Sequence, residues 1–181
     1  MECYRVTEDA AVYFVTYTVV EWLPVFVSER ECRIVTDSLN YCHENKALHT
    51  NGYVIMPTHL HAILFDADFR SDRLVRSLAG FRKFTGRQLC DYCETHMPRC
   101  FSDTLREAAT ADRERRFWQP SRHPEAIESE WFWQQKLDYL HENPCRKGLV
   151  LRAEHWRFSS AAYWLSDGQE TSEVTLSAIE W

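Results

Sequence analysis

The order of strand-like and helix-like segments predicts an α+β fold. The expected architecture is a ferredoxin-like split β-α-β antiparallel sheet with helices on one face, then a C-terminal tyrosine-bearing helix and a tail. Three observations predict it. The run "VYFVTYTVV" is dense in β-branched and aromatic residues, two apolar runs flank a Pro-Thr corner at 57–58, and amphipathic helical periods fill the intervals. The domain is expected over 1–165 and the tail over 166–181.

The first strand spans 12–20 and stops before Pro24. A helix follows over 28–45, with Ser28 as N-cap and Val35, Leu39 and Cys42 at helical spacing. In 48–56, Asn51-Gly52 signals a turn or bulge before a strand from Tyr53 to Met56. Pro57 cannot donate to a ladder, so "PTH" reads as a hairpin corner and 59–65 as the returning strand. The second helix covers 71–89, with Leu74, Leu78 and Phe81 as its core stripe. Residues 90–116 read as irregular and 116–123 as a short strand. A helix over 129–143 is capped by Ser129 and ends near Asn143, because Pro144 disfavours α geometry in the residue before it. The tail is aromatic-rich and acidic, expected to pack partly on the domain and to end loosely held.

Composition bounds the function. Across 181 residues, 45% hydrophobic and 14% aromatic residues supply one sizeable core, and five Gly with six Pro exclude collagenous or low-complexity chains. The N-terminus lacks the basic and apolar regions of a signal peptide, and the longest apolar stretch is broken by Pro, Thr and His. A cytoplasmic protein without a membrane segment is expected. Seven cysteines, an odd number spread through the chain, fit reduced thiols. Cys90, Cys93, His96 and Cys100 could be a zinc set, but a lone CxxC with short loops is a weak pattern and the ordinary core or surface reading is preferred.

The net charge of −6 conceals a basic middle. Residues 70–124 carry 12 basic against 7 acidic side chains, while both flanks are acidic. Within the second helix, Arg73, Arg76, Lys83 and Arg87 recur on one face. Such a stripe is either a solvated face or a nucleic-acid contact.

His59 and His61 lie one residue apart in the apolar "IMPTHLHAILF". Strand alternation points them the same way with Cα atoms about 6.5–7 Å apart. They are either a hydrogen-bonded structural pair or a cradle for one cation. Tyr139 and Asn143 share a helix face at a spacing of four, and in isolation both read as ordinary helix residues.

Taken together, the segments match a known pattern. "MPTHLHAILF" resembles the Met-Pro-x-His-hydrophobic-His segment of the HUH single-strand nucleases, specifically the insertion-sequence-type single-tyrosine transposases. "KLDYLHENPCRKGLV" resembles the tyrosine-bearing segment of the REP-associated tyrosine transposases, a mostly domesticated branch of that group. "FWQPSRHPEAI" and "HWRFSSAAYW" are similar to the same branch, and the likeness runs from about Tyr13 to Tyr163.

The resemblance implies that His59, His61 and Asn143 bind a divalent cation, Mg²⁺ or Mn²⁺, and that Tyr139 is the nucleophile. It implies cleavage and joining of single-stranded, hairpin-bearing DNA through a 5′-phosphotyrosine, by a monomer rather than a homodimer. Arg73, Arg76, Lys83, Arg87, Arg113, Arg115 and Arg116 would contact the DNA backbone. Two rivals remain: a non-catalytic hairpin-binding regulator that keeps the fold, and a metal-dependent hydrolase of small phosphoesters.

Overall fold

The computed structural model describes residues 11–110, 114–120 and 124–180. β1 (Val12–Thr18) leads through a 3₁₀ turn (Val20–Trp22) to α1 (Glu29–Lys46). The hairpin of β2 (Leu48–Met56) and β3 (His59–Asp66) precedes α2 (Ser71–His96) and α3 (Arg99–Glu107). A two-residue β4 (Glu125–Ala126) pairs with β1 before α4 (Glu130–Arg146), a 3₁₀ turn (Ala153–His155) and α5 (Ala161–Leu165). The sheet order is β2-β3-β1-β4 and every pairing is antiparallel. This is the expected α+β, split β-α-β arrangement.

Strand alternation gives the sheet two different faces. Tyr13, Val15, Leu60, Ala62 and Leu64 point to the α1–α2 layer and form the main core with Val35, Leu39, Leu74 and Phe81. Phe14, Val54, Met56, Ile63 and Phe65 point the other way and pack on Leu137 and Leu140 of α4. The period of two places His59 and His61 on this second face, under α4. The two amphipathic helices thus cover one face, and the tyrosine-bearing helix covers part of the other.

Gly52 explains how closely α4 approaches β2. A Cβ there would stand 2.7 Å from Leu137 Cδ1, so a larger residue would force the Leu137 side chain to move. The Asn51-Gly52 signal is a register shift inside a continuous strand rather than a turn. Asn51 is fully buried yet satisfied: its amide donates to the Ser177 carbonyl, and its side-chain oxygen accepts from Trp133 Nε1 at 2.6 Å.

Four expectations differ from the structure. The second helix runs on to His96, because Leu89, Cys90 and Cys93 continue its buried stripe. Within the stretch expected to be irregular, α3 forms and buries Leu105. Of the strand expected at 116–123, the described residues 116–120 hold only an isolated bridge between Val19 and Trp118, 121–123 lie outside the described residues, and the edge strand is β4. α4 continues through Pro144, whose missing N–H costs one hydrogen bond. Burial of Asn143 and Pro144, with the Lys147 and Leu149 amides donating to the Asn143 and Pro144 carbonyls, holds the last turn in place.

The tail is pinned further than expected. The Ile55 amide donates to the Phe158 carbonyl, the Ser160 amide to the Tyr53 carbonyl and the Ser177 amide to the Thr50 carbonyl, while Val174 is buried. These contacts cover the otherwise open β2 edge of the sheet. No helix among the described residues is long and apolar enough to cross a membrane.

Candidate active site

The β1–β3 register sets Thr16 opposite His61 and Thr18 opposite His59. Thr16 Oγ1 lies 2.8 Å from His61 Nδ1, and Thr58 Oγ1 lies 2.9 Å from His59 Nδ1. With Nδ1 of each ring engaged by a hydroxyl, Nε2 is the nitrogen each histidine has left to offer. Such outer hydrogen bonds orient imidazoles that serve as ligands. The two rings sit 4.6 Å apart, centroid to centroid.

Both imidazoles are held neutral. Burial, reinforced by Lys147, pushes His59 down to about 4, and burial, reinforced by His59 and Lys136, pushes His61 down to about 3. A neutral ring keeps the lone pair that a cation or a proton needs.

α4 carries the rest. The Tyr139 ring stands edge-on to His61 at 5.4 Å and to Phe14 at 6.0 Å, with the tyrosine itself partly exposed. One turn on, buried Asn143 donates its Nδ2 to the Tyr139 carbonyl at 2.9 Å, so Oδ1 is its remaining acceptor. One turn further, the positive charge of Lys147 acts on His59.

Tyr139 and His61 open into a cleft of about 570 Å³ that also takes in Lys136, Glu142 and Arg146. Lys136 pairs with Glu125 at 2.6 Å and stands 4.8 Å over the Phe14 ring. Arg146 pairs with Glu142 at 2.7 Å, its guanidinium 5.6 Å from the Tyr139 ring centre. Sequence reasoning missed these cations and the two threonines. Arg146 and Lys147 sit three and four residues after Asn143, a helical offset that could have revealed them. A larger groove of about 670 Å³ lies on the opposite layer between α1 and α2, lined largely by apolar side chains such as Phe81 and Phe84.

The basic residues singled out from sequence are not gathered at this cleft. Arg73 is bound to Asp66 and, at 2.6 Å, to Asp68. Arg76 pairs with Asp72 at 2.8 Å, while Lys83 and Arg87 are exposed on α2, across the sheet from the histidines. Arg115 binds Asp91 and Glu94, both at 2.7 Å. Arg116 reaches the Thr110 hydroxyl at 3.4 Å, and Arg113 lies outside the described residues.

The cysteine–histidine cluster is dispersed. Cys90 and Cys93 are buried in the main core, where burial raises their thiols to about 11 and about 12. His96 stacks on Tyr92 and Cys100 is exposed. Among the described residues, no group of three or more His, Cys, Asp or Glu side chains could hold a metal.

Fold and site together define a class: a split β-α-β sheet that presents a His-x-His pair from a central strand to a tyrosine on the helix that covers the same face. No family model matches the chain, and no curated protein matches it by sequence. Its fold is similar to a solved structure of a REP-associated tyrosine transposase bound to a REP hairpin. The TM-score is 0.63 at 16% identity, over 100% of this chain and 95% of that one.

Proposed function

We propose that this chain is a single-tyrosine, HUH-type enzyme related to the REP-associated tyrosine transposases, which cleaves and rejoins single-stranded, hairpin-bearing DNA. The observation that carries the reading is Tyr139 beside His61, with a partly exposed phenol ring in a cation-bearing cleft. The similarity in fold to a hairpin-bound transposase supports DNA as the partner.

The reaction follows from the residues. Tyr139 Oη attacks phosphorus in line, an O–P bond forms as the P–O3′ bond breaks, the phenol proton passes to solvent, and the departing 3′-oxygen takes up a proton. The 5′-phosphotyrosine retains the energy of the broken ester, so a 3′-hydroxyl can reverse the step and join strands. Lys136 and Arg146 offset the phosphate's charge by exchanging their carboxylate partners for its oxygens. Because His61 and Tyr139 of one chain already adjoin, cleavage in cis by a monomer is sufficient.

The family resemblance implies a divalent cation, Mg²⁺ or Mn²⁺. His59 and His61 would offer Nε2 and Asn143 would offer Oδ1, all uncharged donors in the fold, and the amide oxygen is the donor of the three that suits a hard cation. When bound, the cation supplies Lewis-acid polarisation of a non-bridging phosphate oxygen.

Incubating hairpin DNA carrying a single-stranded flank with the protein and Mn²⁺ tests the reading. Wild type is expected to form a covalent protein–DNA adduct that Tyr139→Phe does not. Salt-sensitive hairpin binding without adduct would overturn it in favour of a non-catalytic regulator.

A further inference from the structure

The 3₁₀ turn after β1 holds an unusual residue beside the site. Glu21 and Trp22 have φ of 50° and 54° in succession, a left-handed backbone that bulky side chains rarely adopt. The surroundings enforce it: the Val19 amide donates to the Thr58 carbonyl, Val20 to Phe117 and Phe26 to Pro57, each at 2.9–3.0 Å. Strain of this kind persists only where the surrounding structure over-determines it, and such positions cluster at functional sites.

Burial does not explain this conformation. Trp22 is 59% exposed. By contrast, Trp118, Trp133, Trp156 and Trp164 all donate their indole N–H into the fold. Instead the Trp22 ring stands edge-on to His59 at 6.0 Å. The ring contacts then form a chain, Trp22–His59–His61–Tyr139, with the last two steps 4.6 and 5.4 Å. Trp22 and Tyr139 thus stand at opposite ends of the histidine pair, each open to solvent.

We propose that Trp22 is the stacking platform for the unpaired base on the 3′-hydroxyl side of the cleaved phosphate, and so helps set where Tyr139 attacks. This deepens the strand-cleavage reading and rests on it. In an in-line displacement the attacking and leaving oxygens lie on opposite sides of phosphorus. With the phosphate over the histidines and Tyr139 at one end, the leaving nucleotide extends towards the other end, where Trp22 waits. An indole face accepts any base, and such stacking accounts for roughly 5- to 100-fold in affinity per base. Trp22 would act as a positioning residue and take no part in bond making.

The test uses full-length Tyr139→Phe protein, which binds without cutting, and hairpin DNA with 2-aminopurine walked singly through the single-stranded flank. One position is expected to be quenched on binding. In the same background, Trp22→Ala removes that quench and weakens binding roughly 5- to 100-fold, Trp22→Phe keeps part of both, and Trp131→Ala, at another exposed indole, changes neither. Where wild type cuts, the quenched base is expected immediately 5′ of the cleaved phosphate. The proposal is overturned if no position shows a Trp22-dependent quench, or if that base lies 3′ of the cut. These outcomes separate it from the parent reading. An adduct without Trp22-dependent quenching sinks only the platform, whereas such quenching without any adduct sinks the cleavage chemistry and, with it, the role of Trp22 in setting the cut, leaving only a base-stacking residue.

Discussion

Acidification of the metal-free protein is expected to destabilise it through histidines that the fold keeps neutral. His59 is pushed down to about 4 and His61 to about 3 from an ordinary value of 6.5. Folded values below unfolded ones mean that the unfolded chain binds more protons in this window, so stability rises with pH there. The contribution is complete near neutrality and is lost as pH falls from about 6.5 towards 4. At about 1.4 kcal/mol per unit, each histidine accounts for about 2–3 kcal/mol of lost stability by pH 4.5. Urea unfolding in chelator between pH 7 and pH 4.5, for wild type and a His59→Asn/His61→Asn double variant, measures this. His141 is also depressed, to about 4, by burial, but it is common to both proteins and cancels in their difference. The variant should lose markedly less stability on acidification. Parallel curves would refute the reasoning, since they would mean that neither imidazole is desolvated as the fold describes.

Three further outcomes are expected. Mn²⁺ should raise the thermal midpoint of wild type near pH 7 but not that of the double variant, by the equivalent of about 2.7 kcal/mol at a hundredfold excess over Kd; differential scanning fluorimetry reads it. Arg73→Ala leaves the buried Asp66 carboxylate without its principal partner and should cost about 1.5–3 kcal/mol in urea unfolding, whereas an arginine held only for DNA would cost nothing. Thr85→Val removes the acceptor of the buried Trp118 Nε1–H, 3.1 Å away, and should cost about 1–3 kcal/mol in the same assay.

Much of the fold was legible because its signals are local. The density of β-branched and aromatic residues in 12–20, the apolar runs on either side of Pro57-Thr58, and the helical stripes in 28–45 and 71–89 depend on nearby residues alone. What escaped depends on tertiary contact. Pro144 reads as a helix stop from sequence, yet burial of Asn143 and Pro144 overrides the local preference. Asn51-Gly52 reads equally as turn or bulge, and only the pairing of β2 with β3, with its register shift between Thr50 and Gly52, decides. The arginine stripe left its two readings open because Asp66 and Asp68, which claim Arg73, precede the helix in the chain. The shared face of His59 and His61 followed from alternation. The threonines behind them did not, since Thr16 comes from another strand and depends on register. Trp22 gave no signal, because its significance lies in backbone geometry rather than residue type.

The placement of the cations bears on how an acidic protein could hold a strand. On the α2 layer, Arg73 and Arg115 serve the fold by neutralising Asp66, Asp68, Asp91 and Glu94. Arg76, Lys83 and Arg87 remain exposed there. In the cleft, Lys136 and Arg146 are already matched to Glu125 and Glu142. On the proposed reading, a phosphate entering the cleft must therefore displace carboxylates, and its net electrostatic gain is small. A stem lying along α2 would instead release counterions from its phosphates and set the salt dependence of binding. Affinity and chemistry would then reside on opposite faces of one sheet. The cleft would have little pull on DNA in general, and would engage only a strand that the rest of the protein has already brought to Tyr139.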